Sequence, residues 1–432
     1  MYYVKHSRKH SKKTKTKITT KKHIHNTKHK LSHKLSHNLP HKYYIVKCYS
    51  NEYELNLSYL ENHLKKLGVI PDTKAMKTIE KLDFNKFKIN KASISELYCR
   101  YTRDFELPKF NKSIITADVF FINNVNNSSN KRFYSYPKFF ANSINLNTIF
   151  KILNKYEIIN NMRKINPSIV TKYVPEIFNI NELDKYEFPK WYILRPIDSF
   201  SGAGIIYINS QEELEDALLY YKETKNYKGI LYGNNVVSSN YISNPLLFNG
   251  RKFHLRLYLN ISLINGVFNS FLMDIGEIIT AKLPFDMKMP FLKEKHDTHF
   301  KSTDDDYLYP DAFTNKNLSK NLTLLQKKIL WNKLIDICKV ISKILEKNKK
   351  DLYYPNIKNF HFLFGLDIII RDNLEPVFIE INDNPGLSFK YDTSQDKFSK
   401  LYYQWLNDTV LEPLFKYNDP MIARKHPTYI KI

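Results

Sequence analysis

Near the C-terminal end of this 432-residue chain, two apolar runs carry polar side chains for which a buried strand has no packing use. The first, FGLDIII from Phe364 to Ile370, contains Asp367. The second, VFIEIN from Val377 to Asn382, contains Glu380 and Asn382 two residues apart. With Asp372–Glu375 as the turn, the runs predict a hairpin over about 361–371 and 376–382. Pro376 is tolerated as the first residue of a strand, where its missing N–H matters least. Pairing Arg371 with Pro376 sets Asp367 opposite Glu380, and alternation along the strand brings Asn382 to the same face. Opposed carboxylates repel unless a cation neutralises them. Mg2+ suits such a set, because it takes one or two carboxylates together with substrate phosphates. On the hairpin alone, an edge strand with a wet polar face accounts for the residues equally well.

Three further stretches carry candidate chemistry. In WYILRPIDSFSGAGIIYI, residues 191–208, Arg195 precedes a small-residue loop whose Gly202 and Gly204 permit close backbone approach to a phosphate. Read alone, the loop is equally an ordinary turn and Arg195 a surface ion-pair partner. In RKFHLR, residues 251–256, Lys252, His254 and Arg256 share one strand face. That face is either solvated or a cationic wall of the kind phosphoryl transfer uses. In AFTNKNLSKN, residues 312–321, Thr314 and Asn315 cap a turn by default.

The order of these pieces resembles the tubulin tyrosine ligase-like family of ATP-grasp amino-acid ligases. The resemblance spans about residues 165 to 390. Its strongest parts are YISNPLLFNGRKFHLRLYL (241–259) and FGLDIIIRDNLEPVFIEINDNPGL (364–387). It implies an α/β (α+β) architecture: an ATP-grasp fold with mixed and antiparallel sheets flanked by helices, preceded by a smaller α/β N-terminal domain. It implies ATP and Mg2+ as cofactors, with Asp367, Glu380 and Asn382 as metal ligands and Arg256 on the γ-phosphate. Lys252 would lie beside Arg256. Arg195 stands where the family has Lys, and Gly202 and Gly204 belong to the phosphate-covering loop. Asn240, Tyr241 and Ile242 form the hinge beside adenine, with Asn315 near the floor of the site. Three positions depart from the family pattern. Arg195 keeps the charge but not the shape of Lys. His254 replaces an Asp. Ile279 falls where many members have Arg, with Lys282 the nearest cation. The implied reaction adds a free amino acid to a carboxylate of an acidic, tubulin-like protein tail through an acyl-phosphate. The alternatives are a non-tubulin or small-molecule acceptor, and a degenerate ATP-grasp protein that binds acidic protein or nucleic acid without turnover.

The surrounding elements must hold these groups in place. The length favours two or three domains. We read residues 1–42 as a disordered basic arm, 43–170 as an N-terminal α/β domain, 171–250 and 251–418 as the two ATP-grasp subdomains, and 419–432 as a tail. The arm holds thirteen Lys or Arg, eight of the fourteen His and no acid, and the remaining residues still carry a net charge of +11. Both parts would attract polyanions. Cys48, Cys99 and Cys338 are too scattered for a disulfide framework or a zinc site, which fits a reducing compartment. With no leader and no apolar run near ~18 residues, the expectation is a soluble, intracellular, cytoplasmic monomer without a membrane partner. Nuclear or virion association through the arm is the alternative. Strands are predicted at 43–50, 113–122, 204–208 and 251–264, and helices at 57–67, 147–165, 211–223 and 322–347. Residues 285–318 read as loop.

Overall fold

The computed structural model describes residues 42–46, 58–71, 119–122, 139–141, 146–197, 199, 202–226, 229–288, 291–298, 307–309, 316–352, 359–383, 385, 392–417 and 429–432. The basic arm up to residue 41, and Thr314 and Asn315, lie outside them. Residues 40–432 form one compact unit.

The unit starts with β1 (Lys42–Val46), α1 (Ser58–Lys66), β2 (Ile70–Pro71), β3 (Val119–Ile122) and β4 (Phe139–Ala141). Three helices follow: α2 (Leu146–Leu153), α3 (Glu157–Ile165) and α4 (Pro167–Tyr173). A small sheet then forms from β5 (Ile177–Asn179), β6 (Tyr192–Pro196), β7 (Ile206–Ile208) and, after α5 (Gln211–Glu223), β8 (Val236–Asn240), in the order β5-β8-β6-β7. Next come β9 (Leu247–Phe248), the long pair β10 (Arg251–Ile264) and β11 (Val267–Thr280), α6 (Lys293–His296) and β12 (Tyr307–Tyr309). The chain closes with α7 (Leu324–Lys347), the hairpin β13 (Phe360–Ile370) and β14 (Pro376–Asn382), α8 (Asp392–Leu406) and β15 (Tyr429–Lys431). The large sheet runs β12-β11-β10-β13-β4-β3-β1-β2, with β14 on β13, β15 on β11 and β9 on β10.

Period-two alternation in β10 gives its two faces different roles. Leu255, Leu257, Leu259 and Ile261 point into a core shared with Leu334, Ile337, Ile341 and Leu345 of α7. Burying each such side chain contributes about 1.5–3 kcal/mol relative to leaving it in water. The other face changes character along its length. From Tyr258 onward it packs under Phe398, Tyr402 and Trp405 of α8. Before that point lie Arg256, His254 and Lys252. The start of α7 is fixed by a capping box: Gln326 N donates to Thr323 Oγ1 (3.2 Å) and Thr323 N to Gln326 Oε1 (2.9 Å).

Three local expectations are corrected. Residues 147–165 are two helices rather than one. The Asn154 side chain accepts from Tyr156 N (3.1 Å) and Glu157 N (2.9 Å), and this local bonding replaces the helical ladder. Pro167, just beyond the end of α3, opens α4, with Asn166 Oδ1 accepting from Ile169 N. Residues 285–318 contain α6 and β12. The hairpin starts one residue off the expected register: Ile370, not Arg371, faces Pro376. A bulge at Ile379 then inserts one residue, so that Asp367 does face Glu380.

Candidate functional site

The small sheet and the polar end of β10 with its neighbours β13 and β14 enclose a cleft of about 870 Å³, open solvent at its mouth included. Arg195, Gly202, Asn240, Tyr241, Ile242, Lys252, Asp367 and Glu380, all singled out from the sequence, line it.

The centre of the site follows from strand register. Arg256 on β10 faces Asp367 on β13 and Glu277 on β11. Its Nε and Nη2 donate to the two Asp367 carboxylate oxygens, each at 2.8 Å, in the two-pronged geometry that suits guanidinium and carboxylate. Burial pulls the Arg256 pKa down, but the charge and hydrogen bonds of Asp367, with Glu277 adding to them, raise it overall. Asn382 Nδ2 donates to Asp367 Oδ2 at 3.1 Å. Gly365 is required here, because a Cβ on it would stand 2.7 Å from Pro385 Cβ and 3.4 Å from Arg256 Cδ. His254 bonds through Nδ1 to Thr298 Oγ1 at 2.7 Å, with Nε2 3.7 Å from Asp367 Oδ1. His254 and Ile279, both departures from the family pattern, sit directly opposite each other on β10 and β11.

Arg195, at the end of β6, is 4% exposed, and its Nε has no hydrogen-bond partner among the described residues. Burial lowers its pKa, against the pull of Glu380. Lys155, in the break between α2 and α3, donates to Ser199 O (2.8 Å) and Ile197 O (3.5 Å) at the start of the glycine loop. It also lies 3.7 Å from Glu380 Oε2. Gly202 lines the cleft, whereas Gly204 packs behind it. At Gly204, φ is +74°, its carbonyl accepts from Tyr221 (2.7 Å), and a Cβ would meet Pro196 Cγ at 2.9 Å.

At the other end, Asn240 ends β8 and Tyr241 N donates to Trp191 O at 3.0 Å. The Lys252 ammonium stands 4.0 Å from the centroid of the Tyr241 ring, a cation–π contact. Lys252 is 3% exposed, and burial depresses its pKa to about 7 although Asp297 opposes the shift. The Tyr241 hydroxyl bonds His296 Nδ1 at 2.7 Å, and the His296 ring stacks on Phe291 with centroids 3.6 Å apart. Burial and then the Lys252 charge lower the His296 pKa to about 4.

Sequence reasoning missed Lys155 and the run His296, Asp297, Thr298. Lys155 is hidden in a continuous helical period, and the run lies in a stretch without period, so only the Asn154 competition for backbone N–H groups offered a signal.

The donor set fits Mg2+ together with a phosphate-bearing ligand. Among the described residues no group of three or more His, Cys, Asp or Glu could hold a metal by itself. Two carboxylates and an amide suit a cation that completes its shell with phosphate oxygens and water. Asp367 Oδ2 accepts from both Arg256 Nη2 and Asn382 Nδ2, and Oδ1 from Arg256 Nε, so a cation at this carboxylate would compete with these donors. The Arg195 Nε is a buried donor in need of an acceptor, which an anionic oxygen in the cleft would supply.

The tubulin-tyrosine ligase family model matches residues 124–418. A probable tubulin–tyrosine ligase of Schizosaccharomyces pombe is 23% identical over 282 residues, covering 53% of this chain and 66% of that protein. The probable tubulin polyglutamylase TTLL2 of Homo sapiens is 24% identical over 240 residues, 53% of this chain and 37% of its own. The matches thus span less than two thirds of these relatives. Among solved structures, the C-terminal domain of K. lactis Pby1, described as an ATP-grasp enzyme interacting with the mRNA decapping enzyme Dcp2, superposes with a TM-score of 0.52 at 15% identity. That superposition covers 91% of this chain and 98% of that one, and it identifies the fold as ATP-grasp.

Proposed function

Because the chain belongs to the tubulin-tyrosine ligase family, we propose that it is an ATP-dependent carboxylate–amine ligase that adds an amino acid to an acidic protein tail. The observation that carries this reading is that Asp367, paired with Arg256 behind it, Glu380 across the hairpin and the buried Arg195 line one cleft. The acceptor carboxylate attacks the γ-phosphorus of ATP, the bond to the ADP oxygen breaks, and an acyl-phosphate forms. The amine of the amino acid then attacks the acyl carbon, phosphate leaves, and the amine proton passes to solvent. Such chemistry needs no protein nucleophile; it needs positioning and charge stabilisation. Arg256 and Arg195 hold phosphate oxygens, and Lys155 fixes the glycine loop from below. Asn240, Tyr241 and Ile242 seat the base. Asp367, Glu380 and Asn382 would hold Mg2+, which when bound offsets the charge that builds on the transferring phosphoryl group.

The test is to incubate the full chain with Mg-ATP, a labelled amino-acid mixture and a tubulin-tail peptide. The peptide is expected to gain whole amino-acid masses while ADP and phosphate appear in equal amounts. ADP release with labelling of only a small carboxylate would move the acceptor. The facing of His254 and Ile279 favours a second reading, an ATP-grasp module that binds acidic protein without turnover. Absence of nucleotide turnover in the same assay selects it.

A pH dependence follows from Lys252. Its ammonium is half charged near pH 7 and more so below. ATP affinity measured by calorimetry is therefore expected to rise as pH falls from 8 to 6, and to lose that slope in Lys252→Met. An equal slope in the variant would exclude Lys252 as the titrating group.

A further inference from the structure

The positive charge of the body is concentrated rather than spread. Between Lys316 and Lys350 the sequence holds ten lysines against Asp336 and Glu346, a net charge of +8 in a region otherwise occupied by α7. This helix lies on the core side of the large sheet, behind the face that carries Asp367, so its outer surface is remote from the cleft. Its first turns also expose large aliphatic side chains: Leu324 is 85% exposed, Leu325 65% and Ile329 45%. No packing within the described residues accounts for them. The capping box nevertheless holds this end of the helix in place, and Lys320, Lys327 and Lys328 surround the exposed side chains in sequence.

We propose that the N-terminal end of α7 docks on an anionic phospholipid surface, with Leu324, Leu325 and Ile329 entering the headgroup boundary and the lysines contacting lipid phosphate and carboxylate. The composition selects this partner. Aliphatic side chains beside lysines suit an interface of acyl chains and anionic headgroups. Lysines would also contact a nucleic-acid backbone, but exposed aliphatic side chains find no partner there, and single strands stack on aromatic rings, of which α7 exposes none at this end. The expectation that the protein has no membrane partner rested on the lack of a spanning run. No helix among the described residues is long and apolar enough to cross a membrane, but lying on one needs only a short apolar edge and positive charge.

The experiment uses the full chain, so that the basic arm contributes equally to every sample. Sedimentation with vesicles of phosphatidylcholine alone, and of phosphatidylcholine with about a third phosphatidylserine, is compared for wild type and for Leu324→Ser/Leu325→Ser/Ile329→Ser. These side chains are exposed, so the variant is expected to fold, which circular dichroism checks. Wild type is expected to bind the anionic vesicles at low salt, to be released as salt is raised, and to bind about tenfold more tightly than the variant. Equal binding of variant and wild type, or no preference for anionic vesicles, overturns the proposal. So does a variant that loses affinity for single-stranded RNA or an acidic peptide while keeping it for vesicles.

Discussion

Replacing Glu380 with Gln is expected to reduce Mg-ATP turnover by about a hundred- to a thousandfold, the scale seen when one electrostatic group of an active site is removed, while leaving the fold intact. The two effects separate because of where Glu380 sits. Its side chain is 19% exposed, and its ion pair with Lys155 is long, at 3.7 Å. At that separation there is no hydrogen bond between the two groups to lose. Gln keeps the shape and the hydrogen-bonding capacity, so the thermal midpoint should hardly move. What Gln lacks is the charge that opposes a cation. The residual turnover should therefore demand more Mg2+ than wild type, measured as the concentration giving half-maximal ADP release. Unchanged turnover at low Mg2+ would remove Glu380 from the metal set.

Replacing Arg256 with Leu is expected to cost stability as well as activity. The guanidinium engages both oxygens of Asp367, a carboxylate with only 6% of its side chain exposed. Removing one member of a buried pair leaves a stranded charge, at a cost of about 3–5 kcal/mol. Urea denaturation should show a lower midpoint with an unchanged slope. The double change Arg256→Leu/Asp367→Asn should recover much of that loss, since it removes the stranded charge, but none of the turnover. A single variant as stable as wild type would mean that solvent reaches Asp367 far more freely than its burial indicates.

How much was legible beforehand depends on whether a residue's position is set by period or by local competition. The β10 alternation and the hairpin follow from period two, and the facing of Asp367 and Glu380 came with them; the pairing of Arg256 with Asp367 did not, since no period tells which strand lies beside β10. The depth of the polar face did not. Lys252 and His254 could have been solvated, and they are buried because the nonperiodic stretch around α6 folds against β10, where Thr298 meets His254. Lys155 was missed because NTIFKILNKYEII continues a helical stripe through a break that one Asn154 side chain makes. The one-residue error at the turn arose because a bulge leaves no mark in composition. The Asp367–Glu380 pairing was obtained from a register that holds only beyond Ile379.

That extra residue divides β14 into two phases. On the turn side of Ile379 the strand keeps step with the interior, and Phe378 is locked into the core. Beyond it the step is shifted by one, and the strand keeps time with the cleft. Were the turn-side register to run on without the bulge, Ile379 would face Asp367, and Glu380 would face Leu366 in place of Ile381. Adjustments to the turn or to core packing can thus accumulate on one side without retuning the carboxylates on the other. Loss of the bulge without loss of the residue, by contrast, acts on the chemistry as a frameshift acts on a message.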